Sequence, residues 1–414
     1  MNTKKFIRKL LQLKDLALMF FEFQRYNQEL HLFVKPYKNG CLCPECNLRG
    51  KIIRTRKEER IWRDIRVANI TIFFHYNIRE IDCRAHGRVQ EAVPWADKYS
   101  RITYRLEYQI LKLSKMIPQK DVSELLHLPK STVSRLLHDA ITRIRAGHRI
   151  RGLKSIGVDE IAYKKNKKYA TIVYDLDKSR VIWVGDGKKK ETLNTFFNDK
   201  LSIYQKKQIK WASCDMSEGY INAIIENCPN VKLVLDKFHI VKALGTAMDE
   251  VRKQQWRELS KSERKAIKGL RWLLFKHSSN RSKSDTRIIN RLKTGNRRIY
   301  RAWVLKDEFE HFWNYKYFGA AYRFLKKWIT RVLKSRLDPL RKVALTIRKY
   351  INHIITYVQR SLTNAVGEGI NRVIKIIKNR ASGFKTLDAF SDLIYLTVGD
   401  LDILAQIPRK YCTI

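Results

Sequence analysis

Through the first 95 residues the apolar positions come in short blocks and alternations rather than at helical spacing. LALMFFEFQ and LHLFVKPY flank a turn-like RYNQE and predict a hairpin, and NITIFFHYNIREIDC predicts one longer strand. From about residue 100 the apolar period lengthens to that of a helix, in RLEYQILKLSKM and then in QKDVSELLHLPKSTVSRLLHDAITRIR. In the second of these VSELL is a short helix, HLPK a tight turn, and a longer helix opens at Lys130 or Ser131. Its apolar face carries Val133, Leu136 and Leu137, and its outer face Thr132, Ser134, Arg135 and His138. That is the pattern either of an ordinary helical hairpin or of a helix-turn-helix, whose second helix would enter the major groove of DNA with Lys130 and those outer side chains.

At residue 153 strand patterns return. KSIGVDEIAYKK, KYATIVYDLDKSR and VIWVGDGKK read as three strands in hairpin order, ETLNTFFNDKL as a helix, IKWASCDMSEGY as a fourth strand running into the helix YINAIIEN, and VKLVLDKFHIV as a fifth strand. This order predicts a mixed sheet flanked by helices. Residues 240–355 then carry long helical stretches with Trp256, Trp272, Trp303, Trp313 and Trp328 and no convincing strand. A late basic helix, in LTNAVGEGINRVIKIIKNR, opens on a lone acid, Glu368, between two glycines. The chain is thus expected to be multidomain, α/β plus α. A β-rich N-terminal domain spans 1–95, a helix-turn-helix 100–150, and an α/β domain 153–239 with 356–414, interrupted by a helical insertion over 240–355.

Charge changes the picture most. The 414 residues include 85 Lys and Arg against 40 Asp and Glu, a net charge of +45. Bases spread along the whole chain make much of the folded surface positive, and nucleic acid the leading partner. No apolar run approaches the roughly 18–20 residues of a membrane span, so no membrane association is expected. The N-terminus begins like a secretion signal, but Lys9 and Glu22 interrupt its apolar stretch and no small-residue cleavage site follows, so it reads as mature, cytoplasmic protein.

The chain has seven cysteines, three of them within residues 41–46, which favours metal over disulfides. Cys43-x-x-Cys46 and Cys83-x-x-His86 offer two ligand pairs at two-residue spacing, the set for one structural, tetrahedral Zn²⁺. Cys41 provides a second register for the first pair, although Pro44 inside the knuckle favours Cys43. Cys83 also reads as a buried strand residue and His86 as a loop residue.

Three acids stand at element ends: Asp159 in GVDE, Asp215 in SCDMSEGY and Glu368. Converging carboxylates repel one another and lose hydration, and one or two Mg²⁺ or Mn²⁺ ions relieve that. Two such ions activate a hydroxyl and stabilise the leaving oxygen of a phosphodiester. Plainer readings stand beside this one. Asp159 reads as a turn residue with Glu160 as the ligand, Asp215 as the N-cap of the following helix, and Glu368 as a complement to a helix dipole. Asp236 in LDKFH is a fourth strand-end acid that displaces or supports the others.

GVDEIAYKKNKKYATIVYDLD, CDMSEGYINAI, LDKFHIVKAL, RWLLFK and LTNAVGEGIN, in that order, resemble the bacterial insertion-sequence transposases of the ISL-three family, which is of DDE type. The resemblance covers nearly the whole chain. It implies a zinc-finger-like N-terminal part, a helix-turn-helix, and a ribonuclease-H-like catalytic domain with a helical insertion. It makes Asp159, Asp215 and Glu368 the catalytic triad, holding two Mg²⁺ (or Mn²⁺) per site. With Glu368 as a ligand, Asn371, Arg372 and Lys375 on the same helix come within reach of DNA, although Lys375 reads equally as a solvated base. His239, with Asp236, reads as standing beside the metals or as a buried structural histidine. Cys83-x-x-His86 stands where relatives often have a second Cys-x-x-Cys, and Gly367 where they often have a larger residue. The expected activity is binding of terminal inverted repeats, cleavage at the element ends and transfer of the strand to target DNA, by a homodimer or larger synaptic complex at the nucleoid. The alternatives are a zinc-containing transcriptional regulator, which leaves the acids at strand ends unexplained, and a metal-dependent nuclease that cuts without joining.

Overall fold

Residues 3–13, 16–36, 40–164, 168–359 and 365–408 are described by the structure, a computed structural model. Leu362, Thr363 and Asn364, which open the late basic stretch, lie outside the described residues. Packing divides the chain into two units, Met1–His148 with Ile374–Ile414, and Arg149–Val373.

The first unit begins with helix α1 (Thr3–Leu10) and with β1 (Leu16–Gln24) and β2 (Glu29–Pro36), which form the expected antiparallel hairpin. β3 (Lys51–Thr55), β4 (Arg60–Val67), β5 (Ile70–Tyr76), β6 (Arg79–Cys83) and β7 (Gly87–Gln90) complete two sheets, ordered β1-β2-β5-β4 and β3-β6-β7. The single strand expected over NITIFFHYNIREIDC is therefore two strands in different sheets. The break is held at Asn77, whose side-chain amide donates to the carbonyls of Arg56 at 3.2 Å and Lys57 at 3.0 Å. Ile78 and Ile81 on its far side are buried, so the apolar alternation runs through the kink unmarked. Trp62 and Trp95 meet edge to face at 5.4 Å in the core under the larger sheet.

The carboxylate of Glu91, which is 4 % exposed, ties this region together. It accepts from the Arg79 backbone and guanidinium, the Tyr76 hydroxyl and the Cys41 amide, all at 2.7–2.9 Å in their shortest contacts. One buried acid thus joins both sheets to the cysteine loop. Three helices follow, α2 (Tyr104–Met116), α3 (Gln119–Leu126) and α4 (Lys130–Arg145), around Leu106, Ile110, Val122, Leu126 and Val133. His127 turns the chain between α3 and α4 in the left-handed conformation, φ 48°.

In the second unit β8 (Ser155–Lys164), β9 (Lys168–Asp175) and β10 (Arg180–Asp186) run antiparallel. Helices α5 (Lys190–Lys200) and α6 (Ile203–Gln208), β11 (Trp211–Cys214), α7 (Glu218–Asn227), β12 (Lys232–Leu235) and α8 (Lys237–Glu258) come next. The sheet is ordered β10-β9-β8-β11-β12, with β8, β11 and β12 mutually parallel, which is the mixed sheet expected. Helices α9 (Lys261–Ile267), α10 (Leu270–Phe275), α11 (Lys283–Gly295), α12 (Arg297–Glu310), α13 (Phe318–Leu333), α14 (Asp338–Lys349) and α15 (Ile351–Gln359) form the helical stretch. Its buried Phe309, Phe312 and Trp328 belong to the same hydrophobic core as Phe196, Phe197 and Ile221 beside the sheet. The helical stretch therefore shares the core of the sheet instead of building its own.

The chain closes with α16 (Ala365–Arg380) and α17 (Leu387–Val398). Residues 374–414, grouped by pattern with the α/β segment, pack with the first unit. There α17 lies against α4: the Asp392 carboxylate meets His138 Nδ1 at 2.9 Å, and the Arg145 guanidinium stacks 3.7 Å over the Tyr395 ring. Among the described residues no helix is long and apolar enough to cross a membrane.

Removing the carboxylate of Glu91 leaves Arg79 and the Cys41 amide without their acceptor. Glu91→Ala is expected to destabilise the first unit by about 3–5 kcal/mol, the usual cost of breaking a buried pair from one side. Faster amide hydrogen exchange in β5 and β6, with exchange in β8–β12 unchanged, is the measurement that checks it.

Candidate functional site

The parallel register of the second unit brings acids together. Ser213 of β11 stands opposite Gly157 of β8, and Cys214 opposite Leu235 of β12. Carried on, the same register sets Asp215 abreast of Asp159 on one side and of Asp236 on the other. Neighbours at one level of a parallel sheet point to the same face, so the three carboxylates form a row. Asp215 and Asp236 follow the last residues of their strands, as expected. Asp159 does not end its strand: β8 runs on to Lys164, paired with β9 alone after β11 has stopped. Glu160, the alternative ligand, is on the opposite face of β8 and pairs with Lys188 at 3.6 Å.

Each acid is held by local donors. Asp159 accepts from the Glu160 amide at 2.7 Å and from the Asn371 side-chain amide at 2.5 Å. Asp215 accepts from the Ser217 amide at 3.0 Å, and Asp236 caps α8 by accepting from the Phe238 amide at 2.8 Å. Burial pushes the carboxyls of Asp159 and Asp215 above the usual range, against the pull of these amides and of His239. The Asp159 charge raises Asp215 further, and Lys188 lowers it. His239 Nε2 lies 3.6 Å from Asp236, so the expected support of the acids by His239 and Asp236 has a geometric counterpart.

Helix α16 reaches this row through Gly367 and Asn371. A side chain at Gly367 would stand 3.2 Å from the buried Tyr174 hydroxyl, so the glycine permits the approach. Asn371, expected to touch DNA, instead orients Asp159, and its Oδ1 is buried with no partner. Glu368 is exposed, as are Arg372 and Lys375. Among the described residues the acids of the row do not bring three ligand atoms within metal-binding distance of one another, and Glu368 joins no such cluster either. Tyr174 carries no motif, and the sequence reading missed it. The donor types fit a hard cation: half-buried carboxylates of Asp159 and Asp215 beside the amide oxygen of Asn371.

In the first unit Cys43, Cys46, Cys83 and His86 bring their ligand atoms within 4.8 Å of one another. Cys46 Sγ lies 3.6 Å from Cys83 Sγ, and His86 Nδ1 lies 3.7 Å from both Cys43 Sγ and Cys83 Sγ. A tetrahedral zinc with bonds of about 2.3 Å has edges of about 3.8 Å, so the cluster matches that ion. The amides of Leu48 and Ala85 bond the Cys46 and Cys83 sulfurs, each from two residues on. Bonding to the His86 side chain and then to the Ala85 amide pulls the Cys83 thiol down to about 6. Cys41 stands outside the cluster, its amide on Glu91.

On α4 the exposed stripe consists of Lys130, Ser131, Arg135 and His138, with Thr132 half-buried at its edge. Ser134 is turned inward and donates to Gln119 Oε1 at 2.8 Å, which fixes α3 against α4. His138 is engaged by Asp392, which raises its affinity for a proton. Lys130 and Arg135 thus face outward as expected, and Ser134 and His138 do structural work.

Residues 156–394 match the ISL3-type DDE family described as "Transposase", and residues 91–141 match the "Helix-turn-helix domain of transposase family ISL3". The chain is similar to the transposase for insertion sequence element IS1001 of Bordetella parapertussis, 28 % identical over 87 % of this chain and 89 % of that one. It is also similar to the transposase for insertion sequence element IS1557 of Mycobacterium tuberculosis, 26 % identical over 86 % of this chain and 85 % of that one. Among solved structures the Drosophila P element transposase strand transfer complex aligns with a TM-score of 0.41 and 10 % identity, over 73 % of this chain and 93 % of that one. That likeness is too slight to carry an inference.

The raised carboxyls have a consequence for stability. Between their unfolded and folded values the native chain holds more protons than the unfolded one, so stability falls as pH rises through that window. Asp215→Asn keeps the acceptor for Ser217 and removes the charge. In the presence of a chelator it is expected to melt at a higher temperature than wild type at neutral pH, and to lose part of the pH slope. Thermal melts of both proteins at pH 4.5 and 7.5 check this.

Proposed function

Because this chain belongs to the ISL3 family of transposases, we propose that it binds the terminal inverted repeats of its own insertion sequence, cuts DNA at the element ends and joins them to a target. The observation that carries this reading is the row of acids on adjacent parallel strands, buried enough for Asp159 and Asp215 to be pushed up by desolvation. The strand order β10-β9-β8-β11-β12, three antiparallel strands followed by two parallel ones, supports a ribonuclease-H-like catalytic domain.

Asp159 and Asp215, with Glu368 as third ligand, would hold two Mg²⁺ or Mn²⁺ ions, which when bound would supply activation of the attacking hydroxyl and stabilisation of the leaving oxygen. The residues around them do the positioning. Asn371 and the Glu160 amide orient Asp159, and the Ser217 amide orients Asp215. Lys188 adds positive charge near Asp215, and His239, 3.6 Å from Asp236, is placed to orient a phosphate or a water. Water attacks the phosphodiester at the element end, the 3′-oxygen leaves with a proton, and the freed 3′-hydroxyl then displaces a 3′-oxygen of the target. Each displacement exchanges one ester bond at phosphorus, so no covalent protein intermediate is needed. Lys130, Ser131 and Arg135 of α4 read the ends in the major groove. Cys43, Cys46, Cys83 and His86 hold one structural zinc that fixes the cysteine loop. Joining two ends calls for a homodimer or larger synaptic assembly, working at the nucleoid in the cytoplasm.

The test uses linear DNA carrying the sequences that flank this gene, purified protein, Mg²⁺ and a supercoiled target plasmid. Wild type is expected to cut at the ends and join them to the plasmid. Asp159→Ala, Asp215→Ala and Glu368→Ala are expected to bind the ends yet lose at least about a hundredfold in product, more than the loss of an outer partner of a metal site. Cutting without joining points to a nuclease, and product from the variants overturns the assignment of the acids. For the other metal, one zinc per chain is expected by elemental analysis. Cys43→Ser and His86→Ala are expected to lose it, and Cys41→Ser to keep it.

A further inference from the structure

Helices α8 and α14 leave a groove between them that nothing above employs. It begins at His239, beside the acid row, and encloses about 550 Å³. Its floor is made of small apolar side chains, Ala243 and Ala247 from α8 and Val343 from α14. Its walls carry Lys242 and Lys342, neither of which makes an ion pair among the described residues. Glu250 lies further along α8, and Lys253 answers its charge at 2.8 Å. The near half of the groove is therefore positive, apolar at its base and continuous with the acids.

We propose that this groove holds single-stranded DNA, the stretch that leads away from the phosphodiester at the acid row. The inference rests on the transposase reading and extends it to the path of the strand. Lys242 and Lys342 flank the backbone and neutralise its phosphates, while the sugar and base edges lie on Ala243, Ala247 and Val343. A groove of this volume encloses one or two nucleotides. It runs between two helices packed on a shared core through Leu244, Leu340 and Ala344, and a volume of about 550 Å³ suits a short piece of single strand rather than a duplex. Among the lining residues only His239, at the head of the groove, carries a ring, so bases find little stacking platform along it and binding is led by the backbone. Such binding tolerates any sequence and weakens steeply with salt.

The experiment uses the full-length protein and an oligothymidylate of about 15 nucleotides, a length suited to single-strand grooves, carrying one photoreactive 5-iodouracil. Crosslinked peptides are identified by mass spectrometry. They are expected within residues 239–254 and 339–343, the two sides of the groove. Lys242→Ala with Lys342→Ala is expected to lower this crosslink several-fold and to reduce the slope of log Kd against log salt by about 1.4, the share of two phosphates on a single strand. Ala243→Trp, which fills the floor, is expected to abolish the crosslink and leave binding of duplex ends intact. Crosslinks confined to other segments, or unchanged in both variants, overturn the proposal. Asp159→Ala separates the two readings, since it is expected to keep the crosslink and lose end cleavage. End cleavage without a groove crosslink overturns the groove alone, and a groove crosslink without cleavage or joining by wild type overturns the transposase reading alone.

Discussion

Parallel strands in register place residues of the same rank side by side, and the candidate chemistry of this chain depends on that constraint. Asp159, Asp215 and Asp236 come from three segments far apart in sequence, and only the pairing of β8, β11 and β12 sets them level. A shift of one residue in either pairing would turn one acid to the other face of the sheet. The strands are fixed by what lies beneath them. Ile156, Val158, Ala212, Leu233 and Leu235 are all buried in the large core that also takes up the helical stretch. The apolar side of the sheet thus determines where the charged side can act.

The row is an electrostatic conflict inside a chain of net charge +45. Across most of the surface the bases draw a polyanion in. At the row the carboxylates repel it, and burial makes their own ionisation unfavourable. Amide donors from Glu160, Ser217, Phe238 and Asn371 offset part of this, each too weakly to neutralise a charge. A divalent cation resolves both sides at once: it answers the acids and presents positive charge to phosphate. The same logic separates the two candidate metals. Hard, ionised oxygens in the second unit suit magnesium or manganese, and the soft sulfurs of the first unit suit zinc.

Local patterns in the sequence were legible where a short spacing fixes a geometry. Cys43-x-x-Cys46 and Cys83-x-x-His86 announce their cluster because two residues between ligands leave a turn little choice. HLPK between two apolar-faced helices announces the turn at His127. The kink between β5 and β6 was invisible because burial continues through it, and the partners of Asn77 are some 20 residues away. The end of β8 was misplaced for a related reason. GVDEIAYKK contains a change of pairing partner, and strand propensity does not record who the partner is. Helical period placed both Ser134 and His138 outward; Ser134 instead turns to Gln119 of α3, and His138, exposed as expected, is bonded by Asp392 of α17, partners that no pattern within α4 reveals. The volume that Tyr174 and Gly367 share is likewise a product of tertiary approach.

The lone acid at the start of the basic helix α16 can be understood from the angles of that helix. Residues on it advance by about 100° each. Gly367 and Asn371, four apart, share the stripe that faces the sheet, and Asn371 takes the bond to Asp159. Glu368, Arg372 and Lys375 share the next stripe, which is exposed. Glu368 is therefore about 60° around the helix from Asn371, at the edge of the row rather than in it. Its carboxylate is exposed, on the same stripe as Arg372 and Lys375. An acid deeper in the row would add a third like charge to two that burial already disfavours. The bases that follow Glu368 share its exposed face of α16, so the lone acid is set apart from the row by one step around the helix.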